Sequence, residues 1–335
     1  MRNHTILFDN PVYIVETSSI VGPKEGKGPL KNYFSHILKD DLLKQKSFEQ
    51  AEIKIHTSAI KQLLNKANLN ANQIDCFFCG DLLDEIVGSS FTMREIDAPF
   101  LGLYNACATF GEALILASTM ISTKTMSKVV CSISSHYATA ERQFRFPLEL
   151  GTQKTPLSQW TVTGGTSILL SNELKTNVKI TSGTIGKVID FGVTDANDMG
   201  AAMAPAALDT LLSHLNDMQR DVDYYDLIMT GDLGHAGSRL LEKLANQKGI
   251  HLNINENYTD GGVLIFNRES QYTNQGGSGA SCGALCFNTY VYTQIKRGKY
   301  KKVLFIPTGA LLSKISSLQG ESIPGIAHAV SVEVE

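Results

Sequence analysis

Cys107 is the residue with the clearest chemical potential in the sequence, because it lies directly before an apolar helical segment. It belongs to the turn Ala106-Cys107-Ala108-Thr109, and residues 108–121 are small or apolar on almost every side. Such a pattern predicts a helix that is buried on all faces. The partial positive charge at a helix N-terminus stabilises both a thiolate and an oxyanion. The turn therefore favours a nucleophilic cysteine or a site for an anionic ligand.

The remaining cysteines are expected to be buried free thiols. Cys76 and Cys79 form a C-x-x-C pair, but they lie in an apolar strand-like run and lack a second pair or a histidine at zinc spacing. Cys282 and Cys286 are four residues apart on a predicted helix, where the sulfur atoms are expected to pack in the core. The sequence therefore assigns no metal site to these residues.

The segments around Cys107 occur twice in the chain. Residues 74–82 (IDCFFCGDL) correspond to residues 225–233 (YDLIMTGDL), and each is a short apolar run that enters Gly-Asp-Leu. This pattern is typical of a buried parallel strand that ends in a turn. Residues 106–114 (ACATFGEAL) and 278–285 (SGASCGAL) each begin a helix without a polar face. An internal repeat of this kind predicts two halves with the same fold.

Further elements complete each half. Ser47 is a suitable N-cap for an amphipathic helix over residues 48–66, and residues 204–218 form the corresponding helix of the second half. Residues 128–134 and 302–308 are again strand-like. The repeat therefore predicts two βαβαβ halves.

These elements predict an α/β protein with a five-layer αβαβα sandwich, built from residues 1–172 and 173–335. The two buried helices are expected between two sheets, with the amphipathic helices outside. Ligands in such folds bind beyond the carboxyl ends of the strands. Those ends lie at residues 80–81, 134–136, 231–232 and 308–309.

Composition excludes several classes of function. A chain of 335 residues with 43% hydrophobic residues can bury a large core, and its formal net charge of −3 gives no basic surface for nucleic acid or for anionic lipid. No apolar run reaches the roughly 18–20 residues that span a bilayer, and the first residues lack the apolar stretch of a secretory signal. We therefore expect a cytoplasmic protein that meets a membrane only through partners.

The layered arrangement, with Cys107 before the first buried helix, resembles the thiolase fold. The Cys107 turn is similar to the nucleophile turn of ketoacyl-ACP synthases. A more specific resemblance, to the stage V sporulation protein AD family of spore-forming bacteria, covers essentially the whole chain. The segments that carry it are GPKE at 22–25, GPL at 28–30, GDLL at 80–83, ATAERQFR at 138–145, DMG at 198–200, MAPAA at 203–207, TGALLS at 308–313 and IAH at 326–328.

The resemblance implies a protein that binds dipicolinic acid (pyridine-2,6-dicarboxylic acid) for its uptake into the developing spore. The ligand is expected as the free acid or as the calcium chelate, and no other cofactor is implied. The family resemblance also implies membrane-protein partners from the same sporulation operon. It places the protein on the cytoplasmic side in the forespore, peripheral on the inner spore membrane. The thiolase-like fold implies a homodimer through the sheet of the first half.

The resemblance also implies a ligand site at Asp81, Cys107 and Ser134. Ser135 is the alternative to Ser134, since two adjacent serines leave the register open. Asp81 would repel a dianion unless calcium lies between them. Alternatively, Asp81 accepts bonds from backbone amides and shapes the loop.

A flat aromatic dianion also needs hydrogen-bond donors and positive charge. Arg142 and Arg145 follow the strand end closely, and we expect one of them to bind a ligand carboxylate through its guanidinium fork. The alternative is a solvated arginine at the rim. His136 could donate to a carboxylate or bond only to backbone.

The condensing enzymes that this fold resembles also need a histidine and an asparagine. The histidine position falls here on Gly231 or Asp232, and the asparagine position falls on Gly277; His235 is a weak substitute for the histidine. Because a general base and oxyanion donors are needed for turnover, we expect a protein that is not an enzyme. The alternatives are a residual acyltransferase or condensing enzyme that uses Cys107, and a structural scaffold for a spore membrane complex.

Overall fold

The computed structural model describes residues 4–144, 154–254 and 256–335. Its strands are β1 (Thr5–Val21), β2 (His36–Ile37), β3 (Cys76–Gly80), β4 (Phe100–Gly102), β5 (Lys128–Ser135), β6 (Trp160–Thr161), β7 (Gly164–Ser171), β8 (Val178–Thr184), β9 (Leu227–Thr230), β10 (Tyr258–Asp260), β11 (Gly277–Ser278), β12 (Lys302–Ile306), β13 (Thr308–Ala310), β14 (Gly325–Ala327) and β15 (Ala329–Val334). Its α-helices are α1 (Phe48–Ala67), α2 (Val87–Ile96), α3 (Thr109–Ser122), α4 (Tyr137–Phe144), α5 (Met199–Met218), α6 (Gly234–Gln247), α7 (Gly261–Ile265), α8 (Ala280–Cys286), α9 (Tyr292–Lys296) and α10 (Lys314–Leu318).

Strand order confirms the repeat that the sequence indicates. The first half runs β4-β3-β5-β7-β1 and the second half runs β10-β9-β12-β15-β8. In both halves the first three strands are parallel, and the last two pair antiparallel with their neighbours. The halves are joined where β1 pairs antiparallel with β8. This long first strand therefore belongs to the pairing network of both halves.

Helices cover and separate the two halves of one continuous sheet, where the sequence predicts two separate sheets. Helix α3 contacts strands of both halves, including β1, β5, β8 and β15, while α8 packs on β5 and β7. Helices α1 and α2 pack together on the outer face of the first half, and α5 and α6 do so on the second. The apolar residues of α3 and α8 are buried together in one large core. The α/β thiolase-like fold predicted from the sequence is confirmed.

Local sequence explains where the outer helices begin. The Ser47 side chain accepts a hydrogen bond from the backbone N–H of Gln50 at the start of α1, as expected of an N-cap. Helix α5 begins at Met199 rather than at residue 204, because Asp198 caps it by accepting from Ala201 N. Pro205 lies inside this helix and costs it one backbone hydrogen bond. The predicted start was therefore five residues late.

The second buried helix contains an irregularity that the sequence does not reveal. Helices α8 and α9 are joined by a π-helical turn over Phe287–Val291. π-helical turns inside α-helices are frequent at functional sites.

Within the described ranges, no helix is both long and apolar enough to cross a membrane.

Candidate functional site

The Cys107 turn is held rigidly at the start of α3. Ala106 adopts a left-handed conformation with φ of 48°, which is uncommon for a residue with a side chain. The Thr109 hydroxyl donates to the Ala106 carbonyl at 2.6 Å and accepts from Asn105 N at 2.8 Å. These two bonds fix the turn and direct Cys107 out of the helix start.

Cys107 lines a narrow cavity with a volume of about 50 Å³. Most of the wall is apolar, with a few polar groups near the sulfur atom. The lining residues are Leu82, Tyr104, Ala106, Cys107, Ala140, Glu141, Phe144, Thr161, Met199, Met203, Ser278, Gly279, Ala310 and Leu312. A wider outer cavity shares Tyr104, Phe144 and Leu312 with it and contains Arg142. The two cavities are therefore adjacent, and the shared side chains lie at their boundary.

Asp232 is buried and bonds to two residues of the cavity that Cys107 lines. Its Oδ1 accepts from the Thr308 hydroxyl at 2.9 Å, and its Oδ2 accepts from the Ser278 hydroxyl at 3.1 Å and from Gly279 N at 3.2 Å. These donors are all neutral, so the carboxylate charge is solvated by dipoles and not by a cation.

Burial and the Asp232 carboxylate raise the pKa of Cys107 well above its usual range, although Ser278 and Gly279 N oppose the shift. Burial also raises the pKa of Asp232 to about 7, and the nearby Asp260 adds to this effect. A thiol with a raised pKa is a poor nucleophile because the thiolate is the reactive form. The site therefore holds the sulfur atom in its protonated state near neutral pH.

Asp81 lies at the end of β3 and is fully buried. Its carboxylate accepts from Leu83 N at 2.9 Å and from Ser89 N and Oγ at 2.6 and 2.7 Å. It does not line the narrow cavity. The structure thus gives Asp81 the loop-shaping role that the sequence left as an alternative, because its oxygens are already occupied by the following loop.

The two adjacent serines at the end of β5 point to opposite faces of the sheet. Ser134 donates to Glu52 Oε1 at 3.1 Å, toward the outer helix α1. Ser135 donates to the Val162 carbonyl at 2.8 Å, and the Ser281 hydroxyl lies 2.7 Å from it. Neither serine lines the cavity, since both hydroxyls bond to protein groups behind its wall.

The other residues proposed from the sequence lie farther from the sulfur atom. His136 bonds to the Asp41 carbonyl through Nε2 at 2.9 Å and accepts from Ala138 N, so both of these hydrogen bonds are to backbone. Arg142 lines the outer cavity and forms an ion pair with Glu49. Arg145 lies outside the described residues. Of the proposed set, the structure places Cys107 in the narrow cavity and Arg142 at the outer one.

The side chains that sequence reasoning missed are Asp232, Ser278 and Thr308. Position 232 was considered only as the place of an absent histidine, and Ser278 lies one residue beyond the position considered for the asparagine. Asp232 could have been found from the repeat, which predicts a strand end at residues 231–232.

Among the described residues, no group of three or more histidine, cysteine, aspartate or glutamate side chains is arranged to hold a metal ion.

Fold and cavity together define a thiolase-like protein. The structure is similar to a variant of OleA from Xanthomonas campestris bound with cerulenin, with a TM-score of 0.65, 12% identity and 99% of each chain covered. It is also similar to human mitochondrial 3-ketoacyl-CoA thiolase in complex with CoA, with a TM-score of 0.62, 12% identity, and 98% of this chain and 99% of that chain covered. A third similar structure is 3-oxoacyl-[acyl-carrier-protein] synthase III from Aquifex aeolicus VF5, with a TM-score of 0.60, 13% identity, and 96% and 99% covered. At these identities the likeness establishes the fold and not the reaction.

The chain belongs to the Stage V sporulation protein AD (SpoVAD) family, whose sequence profile matches residues 2–333. It is 39% identical over 329 residues to Stage V sporulation protein AD of Bacillus subtilis (strain 168), covering 98% of this chain and 96% of that protein. It is therefore a sporulation protein built on a fold that its structural neighbours use for acyl chemistry.

Proposed function

We propose that this protein binds dipicolinic acid in the narrow cavity beside Cys107 without catalysing a reaction. The observation that carries the proposal is the cavity itself, in which Cys107 lies among mostly apolar residues while burial and the charge of Asp232 raise the pKa of its thiol. Family membership supports a role in sporulation. A pocket that keeps its shape but holds its thiol protonated is suited to binding and not to turnover.

The shape of the cavity supports a flat aromatic ligand. Apolar side chains such as Leu82, Phe144 and Met203 form most of the wall. Hydroxyl groups of Thr161 and Ser278 lie among them. Apolar walls with a few polar groups are typical of small-molecule sites, although a volume of about 50 Å³ requires side chains of the wall to move before the ligand fits. A pyridine ring can pack on the apolar wall while its carboxyl groups meet the polar residues.

The charges around the cavity favour a neutralised form of the ligand. Asp232 is solvated by neutral donors, and Glu141 pairs with Lys154 at 2.9 Å. The Arg142 guanidinium is paired with Glu49 at the outer cavity. A free dianion would add two negative charges close to a buried carboxylate, and like charges in a low-dielectric site repel strongly. We therefore propose that dipicolinate enters as its calcium chelate, with the calcium belonging to the ligand.

Isothermal titration calorimetry with the purified chain tests this proposal. Dipicolinate alone, calcium alone and an equimolar mixture are titrated separately, with isophthalate plus calcium as a control of the same shape that lacks the ring nitrogen. We expect saturable binding that is strongest for the mixture and absent for isophthalate. No saturable heat with dipicolinate in either form would reject the proposed function.

Two variants locate the binding event within the structure. Leu312→Trp enlarges a side chain at the boundary between the cavities, so it should weaken binding at least tenfold. Leu318→Trp enlarges a side chain that is 79% exposed on α10 and should leave affinity unchanged. Equal affinities in both variants would place the ligand elsewhere on the molecule.

Acyl transfer is the second candidate function, because Cys107 stands at a helix start in a fold whose neighbours carry out acyl chemistry. Incubation with acetyl-CoA and malonyl-CoA, followed by intact-mass measurement, distinguishes the two candidates. We expect no acyl adduct on Cys107 that forms and disappears with turnover. Repeated release of CoA above the rate of a Cys107→Ala variant would favour the enzyme.

The cellular setting is also part of the proposal. Action beside membrane proteins of the same operon would place the protein peripherally on the cytoplasmic face of the inner spore membrane, in the forespore. A homodimer through the first half is supported by β4, which lies at one end of the sheet path with Leu101 46% exposed. Fractionation of sporulating cells with and without the operon's membrane proteins tests the location.

A further inference from the structure

The turn between α9 and β12 has the same backbone as the turn between α3 and β5 in the first half. Each turn has one residue in the left-handed region, Gly298 with φ of 77° and Lys124 with φ of 61°. In each turn one aspartate, Asp226 or Asp75, accepts from two consecutive backbone N–H groups at 2.6 and 2.9 Å. The backbone geometry of this turn is therefore common to both halves.

The side chains of the two turns differ in charge. Alignment of Lys302 with Lys128 places KRGKYKK at 296–302, named here the basic turn, opposite STKTMSK at 122–128. Positions that carry serine or threonine in the first half carry cations in the basic turn, and these cations are Lys296, Arg297, Lys299 and Lys301. Since the first half forms the same backbone without them, the turn does not need these four charges in order to fold.

The four cations of the basic turn are open to solvent and are not neutralised. All four are exposed, and within the part of the chain that the structure describes none of them forms an ion pair. Carboxylates that adjoin the turn have other partners. Asp226 accepts from backbone N–H groups, Glu333 pairs with Arg220 and Glu335 pairs with Lys179. The formal net charge of −3 hides this local excess of positive charge, because it is a sum over the whole chain.

We propose that the basic turn binds the anionic lipid headgroups of a membrane. Clusters of roughly four to eight Lys and Arg residues are attracted to anionic leaflets. Three of the four exposed cations are lysines, whose compact charges on flexible stems suit a fluid array of headgroups. A site for one fixed phosphate would favour guanidinium forks instead. Tyr300 is partly buried among the lysines, and tyrosine is enriched where proteins meet the membrane surface.

Attachment by the basic turn deepens the proposed function, since it rests on the peripheral membrane location proposed above. Strand β12 begins at Lys302 and has five residues, so it is about 17 Å long. Ala310, which lines the narrow cavity, lies beyond the other end of this strand. Lipid binding at the basic turn therefore leaves the cavity accessible, and dipicolinate affinity should not depend on the charges of the turn.

Co-sedimentation with lipid vesicles tests the proposal. The purified chain is mixed with vesicles of phosphatidylcholine alone, or of phosphatidylcholine with roughly 30% phosphatidylglycerol. At about 0.1 M salt we expect binding to the anionic vesicles only, and at about 0.5 M salt screening should remove it. No binding to the anionic vesicles, or equal binding to the neutral ones, would overturn the proposal.

A variant that gives the basic turn the residues of the first-half turn locates the lipid-binding surface. Its changes are Lys296→Ser, Arg297→Thr, Lys299→Thr and Lys301→Ser. Affinity for the anionic vesicles should fall at least thirtyfold, because each cation near an anionic surface contributes roughly fivefold. A control variant removes the same charge from exposed lysines of the first half, by Lys39→Gln, Lys44→Gln, Lys46→Gln and Lys54→Gln. The control should bind within threefold of the wild type, and an equal loss in both variants would reject the basic turn as the surface.

Folding of the variants is checked by circular dichroism. Should the fourfold variant not fold, the pair Lys299→Thr and Lys301→Ser decides, with an expected loss of at least fivefold; unchanged affinity would overturn the proposal. Tighter binding of a DNA duplex than of the anionic vesicles at the same salt would also overturn it, in favour of a nucleic-acid surface. Calorimetry with dipicolinate and calcium should give the wild-type affinity for the fourfold variant, so membrane attachment and the proposed function can fail separately.

Discussion

Asp81 and Asp232 occupy equivalent positions at the ends of repeated strands, yet their carboxylates have different partners. Asp81 accepts from Leu83 N in the loop that follows it. In the second half the equivalent amide, Gly234 N, donates to Asp260 on the neighbouring strand. Asp260 thus takes over the loop-shaping role, which leaves the Asp232 carboxylate free to accept from Ser278, Gly279 N and Thr308. The two halves keep the same backbone arrangement, but a different aspartate supports the loop in each: Asp81 in the first half and Asp260 in the second.

Replacement of Asp81 by alanine should destabilise the fold. The change leaves the buried donors Leu83 N, Ser89 N and the Ser89 hydroxyl without their acceptor. We expect the free energy of unfolding to fall by at least about 2 kcal/mol, measured by urea denaturation. Asp84→Ala, in the exposed part of the same loop, should change it by less than about 0.5 kcal/mol. Unchanged stability with lost dipicolinate affinity would instead make Asp81 a ligand residue.

The hydroxyl pair Ser135 and Ser281 should couple the two halves of the molecule. Ser135 donates to the Val162 carbonyl, so Ser281 is the donor in the 2.7 Å contact between the two hydroxyls. Ser135→Ala leaves the buried Ser281 hydroxyl without its acceptor, whereas Ser281→Ala leaves Ser135 Oγ bonded to the Val162 carbonyl and to the backbone N–H of residue 281. A double-mutant cycle in urea unfolding should therefore give a coupling energy of about 1 kcal/mol. A value near zero would show that the pair contributes no link between β5 and α8.

Glu25 should make stability depend on pH. Its side chain is buried, one oxygen accepts from Thr163 N, and burial raises its pKa from 4.5 to about 7. Between these two values the folded protein binds the proton and the unfolded chain does not. The free energy of unfolding therefore falls as pH rises through this window. Glu25→Gln removes this dependence.

The measurement for Glu25 is a comparison of urea unfolding at pH 5 and at pH 8. The difference in free energy of unfolding between Glu25→Gln and the wild type should shift in favour of the variant by on the order of 2–3 kcal/mol from pH 5 to pH 8. Any constant cost of the new amide cancels in this difference. Glu321→Gln, at an exposed carboxylate, should follow the wild-type curve. Parallel curves for wild type and Glu25→Gln would contradict the prediction.

Backbone architecture could be predicted from the sequence because it depends on patterns that repeat. Two copies of a strand entering Gly-Asp-Leu, and two helices without a polar face, allow few arrangements other than a layered sandwich. The position of Cys107 followed from the same pattern. These features are properties of whole segments, and they tolerate errors of a few residues at element boundaries.

Side-chain direction could not be predicted in the same way. Successive residues of a strand point to opposite faces, so Ser134 and Ser135 exchange roles if the strand register shifts by one residue. The hydrogen-bond partners of Asp232 depend on Asp260, because Asp260, 28 positions further along the chain, supports the loop in its place. Sequence patterns do not contain these distances, so the hydrogen-bond partners of Asp81 and Asp232 could not be predicted from them.

The exposed edge of the first half predicts the oligomeric state. Within the described residues, β4 pairs with β3 on one side and lies at the end of the sheet path. Exposed edge strands tend to pair with a second chain, and the exposed Leu101 side chain would pack in such a contact. We expect light scattering to show a dimer for the wild type and a monomer for Leu101→Arg. Leu318→Arg, at another exposed leucine, should remain dimeric; a wild-type monomer, or a Leu101→Arg dimer, would place any self-association on a different surface.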